Sequence, residues 1–441
     1  MVGFFERVRP VLYWGLDALK GGAVRNHYRD IAYLLETPSR QEASQQTQAY
    51  LRRILDHAAA STPRYRSLGP GAPLEQFPVV NKGIIKDNQD PFLADSHRGR
   101  PLHRTTTSGS TGTPFTVFQD GVKRSRHQAD NIYFCERAGY AFGTRLYYLR
   151  IWNEVNRKGL LTRVLQNLVP QETGDLSGPN LDRLLDLLAR DGSTKSVLAF
   201  SSTYEALANH IKDRGALPHG IRVQTLMTMS EAMPDPAKKF LAEALGCPVV
   251  SRYSNMENGF LAQQCLEENN EFHLNTASYH VELLDLHKDE PVPFGTLGRI
   301  VVTDLFNFAM PLIRYDTGDT GVMAERGLCG KPGPVLQRVE GRRVDFLSDT
   351  QGRLRSPYEI VNTMWKYAEI RQFQFIQEGA GDYRMLVNTG DGTFPREEEL
   401  RRDLRGYLGA DARIAFECVT EVPTYASGKR KKVVNNYRVQ P

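Results

Sequence analysis

Val197-Leu-Ala-Phe200 is a short apolar run, and Ser202-Thr-Tyr-Glu205 follows it with the Ser-x-x-Glu spacing of a helix-opening capping box. A run of that length suits a buried strand, and the helix predicted from there through about Arg214 would cover one of its faces. The alternation continues on both sides. Downstream, residues 221–229 read as a strand, 236–245 as a helix stopped by Gly246, and 248–253 as a strand again. Upstream, Leu181, Leu184, Leu185 and Leu188 recur at helical spacing. Strands and helices alternating over short connections predict an α/β fold, a mostly parallel sheet covered by helices.

Farther out, residues 41–60 read as a helix with Tyr50, Leu51, Ile54, Leu55 and Ala58 on one side, followed by a Pro- and Gly-rich loop over 63–78. Beyond about Arg342 the pattern changes. Residues 371–377 and 382–388 look like paired strands joined by the turn-prone Glu378-Gly-Ala-Gly381, with a helix over 395–408 and a strand over 412–419. The reading is a large domain over 1–341, a hinge at 342–345 and a small α+β domain over 346–441.

Composition narrows the class. The 441 residues are 40% hydrophobic and 24% charged, an ordinary globular balance, and a formal charge of +5 is mild at this length. No basic stripe interleaved with aromatics marks a nucleic-acid surface. Five scattered cysteines without a Cys-x-x-Cys pair argue for a reducing cytoplasm. No apolar run approaches a membrane-spanning length, and no signal peptide is visible. The opening stretch, with Phe4, Phe5, Val8, Val11, Leu12, Trp14 and Leu16 beside Arg7 and Arg9, is amphipathic; a helix packed on the domain is preferred there over peripheral membrane contact.

Four segments carry chemistry. Thr105-Thr-Thr-Ser-Gly-Ser-Thr-Gly-Thr-Pro114 combines glycines, which let successive backbone N–H groups converge on an anion, with hydroxyl donors. No Lys follows its second Gly, so it is not a Walker loop. Arg314-Tyr-Asp-Thr-Gly-Asp319 sets two carboxylates on a Gly-containing turn, fit for a sugar diol or a cation, although Asp316 could simply cap its own backbone. Arg252-Tyr-Ser-Asn-Met-Glu257 ends a predicted strand, where open α/β sheets place ligands. Ala426-Ser-Gly-Lys-Arg-Lys-Lys432 is a basic tail.

In this order the segments resemble the adenylate-forming superfamily of acyl-CoA synthetases, adenylation domains and luciferases, from about Ser44 onward. Thr107 to Pro114 resembles its phosphate loop, Met229-Ser-Glu231 its Gly-Glu turn beside adenine, and Tyr253 to Glu257 its Tyr-Gly-x-Thr-Glu motif. Tyr315 to Asp319 resembles Tyr-Arg-Thr-Gly-Asp, Gly341-Arg342 the start of the hinge, and Pro423-Thr-Tyr-Ala-Ser-Gly-Lys429 the late Pro-x-x-x-Ser-Gly-Lys motif. Pro311 to Asp319 is most similar to the phenylacetate–CoA ligase branch. His57-Ala, Pro63-x-Tyr65 and Phe77-Pro-Val-Val-Asn-Lys82 are similar to that branch's capsule-biosynthesis relatives.

The resemblance implies splitting of ATP to activate a carboxylic acid as its acyl-AMP, with the acyl group then passed to a thiol, coenzyme A. It implies that Thr107, Ser108, Gly109, Ser110, Thr111, Gly112 and Thr113 cradle phosphates, with Ser230, Glu231, Tyr253 and Ser254 around the rest of the nucleotide. Glu257 would hold Mg²⁺, Asp319 the ribose, Arg342 the ribose or phosphate, and Lys429 the reacting oxygens. Lys431 and Lys432 are expected to be exposed bystanders. Ser254 and Met256 replace the family's Gly and Thr, with Asn255 or Ser254 as substitutes for the missing hydroxyl. The usual hinge Asp falls on Val344, with Asp345 next. Trp152, Tyr204 and Met229 are acyl-pocket candidates by neighbourhood. Some relatives hold a structural zinc; here Cys265, His273 and Cys329 supply three ligands and Gly327 stands where a fourth is expected, so zinc is not expected. Transfer to an amine or hydroxyl, transfer of AMP itself, and an inactive binding module stay as alternatives.

Overall fold

A computed structural model describes residues 2–37, 39–107, 115–152, 159–229, 233–266, 270–342, 346–423 and 431–437. Three helices lead, α1 (Val2–Leu19), α2 (Ala23–Glu36) and α3 (Arg40–Ser61), the last opened by the Ser39 side chain accepting from the Glu42 N–H. The short β1 (Val80–Asn81) and α4 (Lys82–Asp87) precede a hairpin, β2 (His103–Thr107) and β3 (Phe115–Gln119). α5 (Gly121–Arg137) begins where Asp120 caps the Lys123 N–H at 2.8 Å.

Strand and helix then alternate, with β4 (Arg145–Arg150), α6 (Leu160–Leu165) and β5 (Leu168–Glu172) ahead of the predicted run of α7 (Gly178–Arg190), β6 (Lys195–Phe200), α8 (Ser201–Arg214), β7 (Val223–Met229), α9 (Asp235–Leu245) and β8 (Val249–Asn255). Strands β5, β4, β6, β7 and β8 pair in that order, all parallel. α7 turns Leu181, Leu185 and Leu188 onto them, and Gly246, at φ 63°, ends α9 in the left-handed conformation.

One local expectation is corrected. The capping box does not form: α8 starts at Ser201, directly from the strand, so Ser202 lies inside the helix and Glu205 pairs elsewhere. The sheet also continues past its parallel half. β9 (Gly259–Gln264), β10 (Phe272–Leu274), β11 (Tyr279–Leu284), β12 (Leu297–Asp304), β13 (Tyr315–Ala324) and β14 (Val335–Arg342) follow with no helix between them among the described residues, and neighbours run antiparallel. Among the described residues the sheet has twelve strands, β1 pairing with β13. α5 is tied to the sheet by the buried Lys123–Asp304 pair at 2.5 Å, and α2 to α5 by Arg126–Asp30 at 2.5 Å.

The remaining chain builds separate sheets. β15 (Leu347–Ser348) and β16 (Leu354–Arg355) pair, and α10 (Pro357–Thr363) follows. β17 (Gln372–Gly379), β18 (Asp382–Asn388), α11 (Glu397–Leu408), β19 (Arg413–Cys418) and β20 (Val433–Asn435) make a four-stranded sheet in the order β19-β18-β17-β20. Its own core includes Phe375, Met385, Leu400, Leu404 and Leu408.

Candidate active site

The five parallel strands point their C-terminal ends at one edge of the sheet, the place where an open α/β sheet receives ligands. Trp152 follows β4, Met229 ends β7, and Tyr253, Ser254 and Asn255 end β8 just before Glu257. The turn after β8 is tied by the Asn258 N–H donating to Asn255 Oδ1 at 2.8 Å. That engages the Asn255 amide in its own turn and leaves half-buried Ser254, beside the register shift of β8, as the nearer substitute for the missing hydroxyl; Met256 is exposed.

Two tyrosines join this edge to β13. The Tyr253 hydroxyl donates to Asp319 Oδ2 at 2.9 Å and lies 3.3 Å from Thr317 Oγ1. The Tyr315 hydroxyl lies 3.4 Å from Glu257 Oε1. Burial first, then the Asp319 charge, raises the Tyr253 phenol well above its ordinary value; burial and then Glu257 do the same for Tyr315. Both therefore stay protonated donors, and each holds a carboxylate at a fixed point. Across the β13–β14 ladder Asp319 lies opposite Arg342, and Thr320 Oγ1 donates to the Gly341 carbonyl at 3.3 Å. Asp316 takes the structural part foreseen for it: it accepts from the Gly318 N–H at 2.8 Å and from buried Arg299 at 2.9 Å.

Near the end of β4 the Tyr148 ring meets Trp152 edge-on at 5.2 Å, and its hydroxyl approaches Met229 Sδ at 3.7 Å. Arg150 lies over both rings at 5.6 Å. Trp152 and Met229 thus share one wall through Tyr148, a residue that sequence reasoning passed over. Its signal was its place two residues from the end of a parallel strand. Tyr204 is not part of that wall. It is wholly buried between sheet and helices with its hydroxyl on the Val197 carbonyl at 2.8 Å, so it is a core residue.

Several expected residues lie outside the described ones: Ser108, Gly109, Ser110, Thr111, Gly112, Thr113, Ser230, Glu231, Val344, Asp345 and Lys429. For Thr107 and Arg342 only the backbone is described; Thr107 pairs with Phe115 at the closed end of the β2–β3 hairpin. The basic tail corrects one expectation. Lys432 forms an ion pair with Glu205 of α8, and the half-buried Lys431 gives its carbonyl to Gln374 Nε2 at 2.8 Å. Neither is a solvated bystander. On the same helix, Lys212 lies 4.9 Å from the Phe240 ring and 4.7 Å from that of Trp365, so α8 carries the small sheet's contact with the large one.

At the far ends of β9 and β10, Cys265 Sγ lies 3.3 Å from Cys329 Sγ, which is 3.0 Å from His273 Nε2. A Cβ at Gly327 would sit 2.9 Å from Val335 Cγ1 and 3.0 Å from Glu271 Oε2, so no side chain fits there. The Glu271 carboxylate accepts from the Leu328 N–H at 2.6 Å. Three such donors suit zinc chemically, and among the described residues no fourth completes a tetrahedral set.

Residues 347–436 match the family model of the CapK C-terminal domain. A phenylacetate-coenzyme A ligase of Thermus thermophilus is 26% identical over 307 residues, 66% of this chain and 66% of that relative's length. Protein CapK of Staphylococcus aureus is 22% identical over 386 residues, 83% of this chain and 81% of its own. The chain is a homologue of the phenylacetate–CoA ligases and CapK. Its fold is that of the adenylate-forming ligases. A solved 2-hydroxyisobutyryl-CoA ligase, in the postadenylation state with R3-HIB-AMP, superposes with a TM-score of 0.73 at 17% identity, covering 92% of this chain and 91% of that one. The same protein in its thioesterification state gives a TM-score of 0.59. The two tyrosine–carboxylate pairs join the segments 252–257 and 314–319 to each other. No helix among the described residues is long and apolar enough to cross a membrane.

Proposed function

We propose that the chain uses ATP to convert a carboxylic acid into its acyl-AMP and then passes the acyl group to a thiol, coenzyme A. The observation that carries this reading is the convergence of Tyr253–Asp319 and Tyr315–Glu257 at the C-terminal edge of the parallel strands. A carboxylate oxygen of the acid attacks the α-phosphorus, the bond to the bridging oxygen of the β-phosphate breaks, and pyrophosphate leaves. In the second step a thiolate attacks the acyl carbon and AMP leaves, the thiol proton going to solvent.

Asp319, fixed by the Tyr253 hydroxyl, accepts the ribose hydroxyls, with Arg342 opposite it on β14. The hydroxyls and glycines from Thr107 to Thr113 take the phosphates, and Ser230 and Glu231 line the adenine side. Lys429 reaches the carboxylate and α-phosphate oxygens, where negative charge gathers in the transfer. Glu257, buried beside the Tyr315 hydroxyl, offers the oxygen donor that Mg²⁺ would take, and the bound ion would neutralise phosphate charge. Trp152 and Met229 wall the acyl group. Residues 342–345 form the hinge between a large domain over 1–341 and a small one over 346–441, and Val344 and Asp345 absorb its rotation. Support for that rotation is the better superposition on the postadenylation state than on the thioesterification state of one ligase.

A second reading has its own observation. The similarity to CapK covers 83% of this chain, and the CapK C-terminal model falls on residues 347–436, the small unit that faces the acceptor in the proposed transfer step; on this reading the acceptor is the amine or hydroxyl of a larger molecule. Acid-dependent pyrophosphate exchange into ATP, run over aryl, fatty and sugar acids, tests activation; product analysis with coenzyme A, with hydroxylamine and with no acceptor separates the acceptors. Absence of exchange with every acid would refute activation.

A further inference from the structure

Most helices here turn their leucines inward: α7 buries Leu181, Leu185 and Leu188, and α11 buries Leu400, Leu404 and Leu408. α1 does the reverse. Tyr13 and Trp14 face the body, where Tyr13 meets Phe142 at 5.0 Å and Trp14 meets Tyr28 at 5.7 Å. Asp17 caps α2, its carboxylate accepting from the Val24 and Arg25 N–H groups at 3.2 and 2.9 Å. Pro10 and the Glu6 carbonyl press on Gly143, where a Cβ would come within 2.7 Å of either. The helix is thus seated by an aromatic and polar face. Its other face carries Phe5, Leu12, Leu16 and Leu19, spaced seven, four and three apart on one stripe, with Val11 beside it, all exposed and Leu19 86% so.

The patch does not end with α1. α6 lies alongside it, held by Arg9 Nε donating to the Val164 carbonyl at 3.2 Å, and exposes Leu160 at 75%, Leu161 at 72% and Val164 at 57%. Two segments about 150 residues apart in sequence, on the separation that this hydrogen bond spans, therefore expose one apolar surface. Its charges are sorted. Arg7, Lys20 and Arg163 are exposed on or next to these helices, whereas the acids of α1, Glu6 and Asp17, lie on its inward side.

We propose that α1 and α6 form a docking face for a lipid surface with anionic headgroups. An apolar stripe rimmed by exposed cations, with no outward acid on α1 or α6, fits the boundary between headgroups and acyl chains. It fits a second copy of itself poorly, because two such faces would bring the same cations together. One short amphipathic helix binds a bilayer reversibly, so the attachment is peripheral and weakens with salt. The proposal is independent of which acid the site activates.

The test is sedimentation of the full chain with vesicles of phosphatidylcholine, with and without phosphatidylglycerol, at low and high salt. Binding to the phosphatidylglycerol vesicles at low salt, and its loss at high salt, is the expected result. Arg163→Glu should weaken it by at least about fivefold, since each cation near such a surface contributes about 1 kcal/mol. Leu16→Glu and Leu161→Glu should each abolish it without changing the melting temperature. Because a charged variant could unfold α1, amide exchange on the unaltered chain is the second reading: vesicles should protect α1 and α6 together. No binding at low salt, equal binding to phosphatidylcholine alone, or a dimer that Leu161→Glu dissolves would each overturn the proposal.

Discussion

In the large sheet the candidate site is fixed before any ligand arrives. Tyr253 and Tyr315, both buried, hold Asp319 and Glu257 by their hydroxyls, and the β13–β14 ladder sets Arg342 opposite Asp319. The small sheet meets the large one differently, through the Lys432–Glu205 ion pair and through Lys212 between Phe240 and Trp365. Contacts of that kind are partly exposed, cost little to break and re-form elsewhere. On the proposed rotation, binding belongs to the large half and the change of chemistry to a small half that is re-seated between the two steps.

The largest expected effect lies on the re-seated half. Lys429→Ala should slow acid-dependent pyrophosphate exchange by about 10²–10³-fold, the cost of one charge-stabilising donor. The same variant should consume a pre-made acyl-adenylate at nearly the unaltered rate, because an uncharged acyl carbon no longer needs that cation. Equal losses in both half-reactions would erase the division. Next is Glu257→Gln in the large half, expected to cost about ten- to a hundredfold in turnover and to raise the Mg²⁺ concentration required. Nucleotide affinity, read by calorimetry without metal, should hardly move; a parallel loss there would reassign Glu257.

Smaller effects sharpen the comparison. Asp319→Asn should raise the KM for ATP about tenfold with kcat little changed, and Tyr253→Phe about threefold, since it removes one neutral donor. If Tyr253→Phe is the worse of the two, the tyrosine does more than position Asp319. Smallest is Glu205→Gln, which should shift the ratio of the two half-reactions by about two- to threefold, as a partly exposed ion pair allows. A uniform change in both would mean that the contact on α8 does not select between domain positions.

The parallel half was legible because each strand–helix unit has its own periodicity, and helices at 40–61, 235–245 and 397–408 fall within a residue or two of expectation. The antiparallel half was not, since it lacks helices to mark its strands. The motifs pointed to Tyr253 and Asp319 separately; their pairing spans 66 residues and only folding joins them. Tyr148 carried no motif, being useful by position alone. Tyr204 misled because an aromatic next to a strand end reads alike whether it faces a ligand or a core. For α1, periodicity disclosed an amphipathic helix but not its orientation, since a stripe on a helix does not say which side the body takes.

The central claim, acyl-adenylate formation in this site, is tested most directly by a single turnover without acceptor. With a productive acid and ATP labelled at the α-phosphate, pyrophosphate should appear in stoichiometry with enzyme, and the label should stay bound as acyl-AMP until coenzyme A or another acceptor discharges it as AMP. Release of ADP and phosphate, or pyrophosphate release indifferent to the acid, would contradict the account.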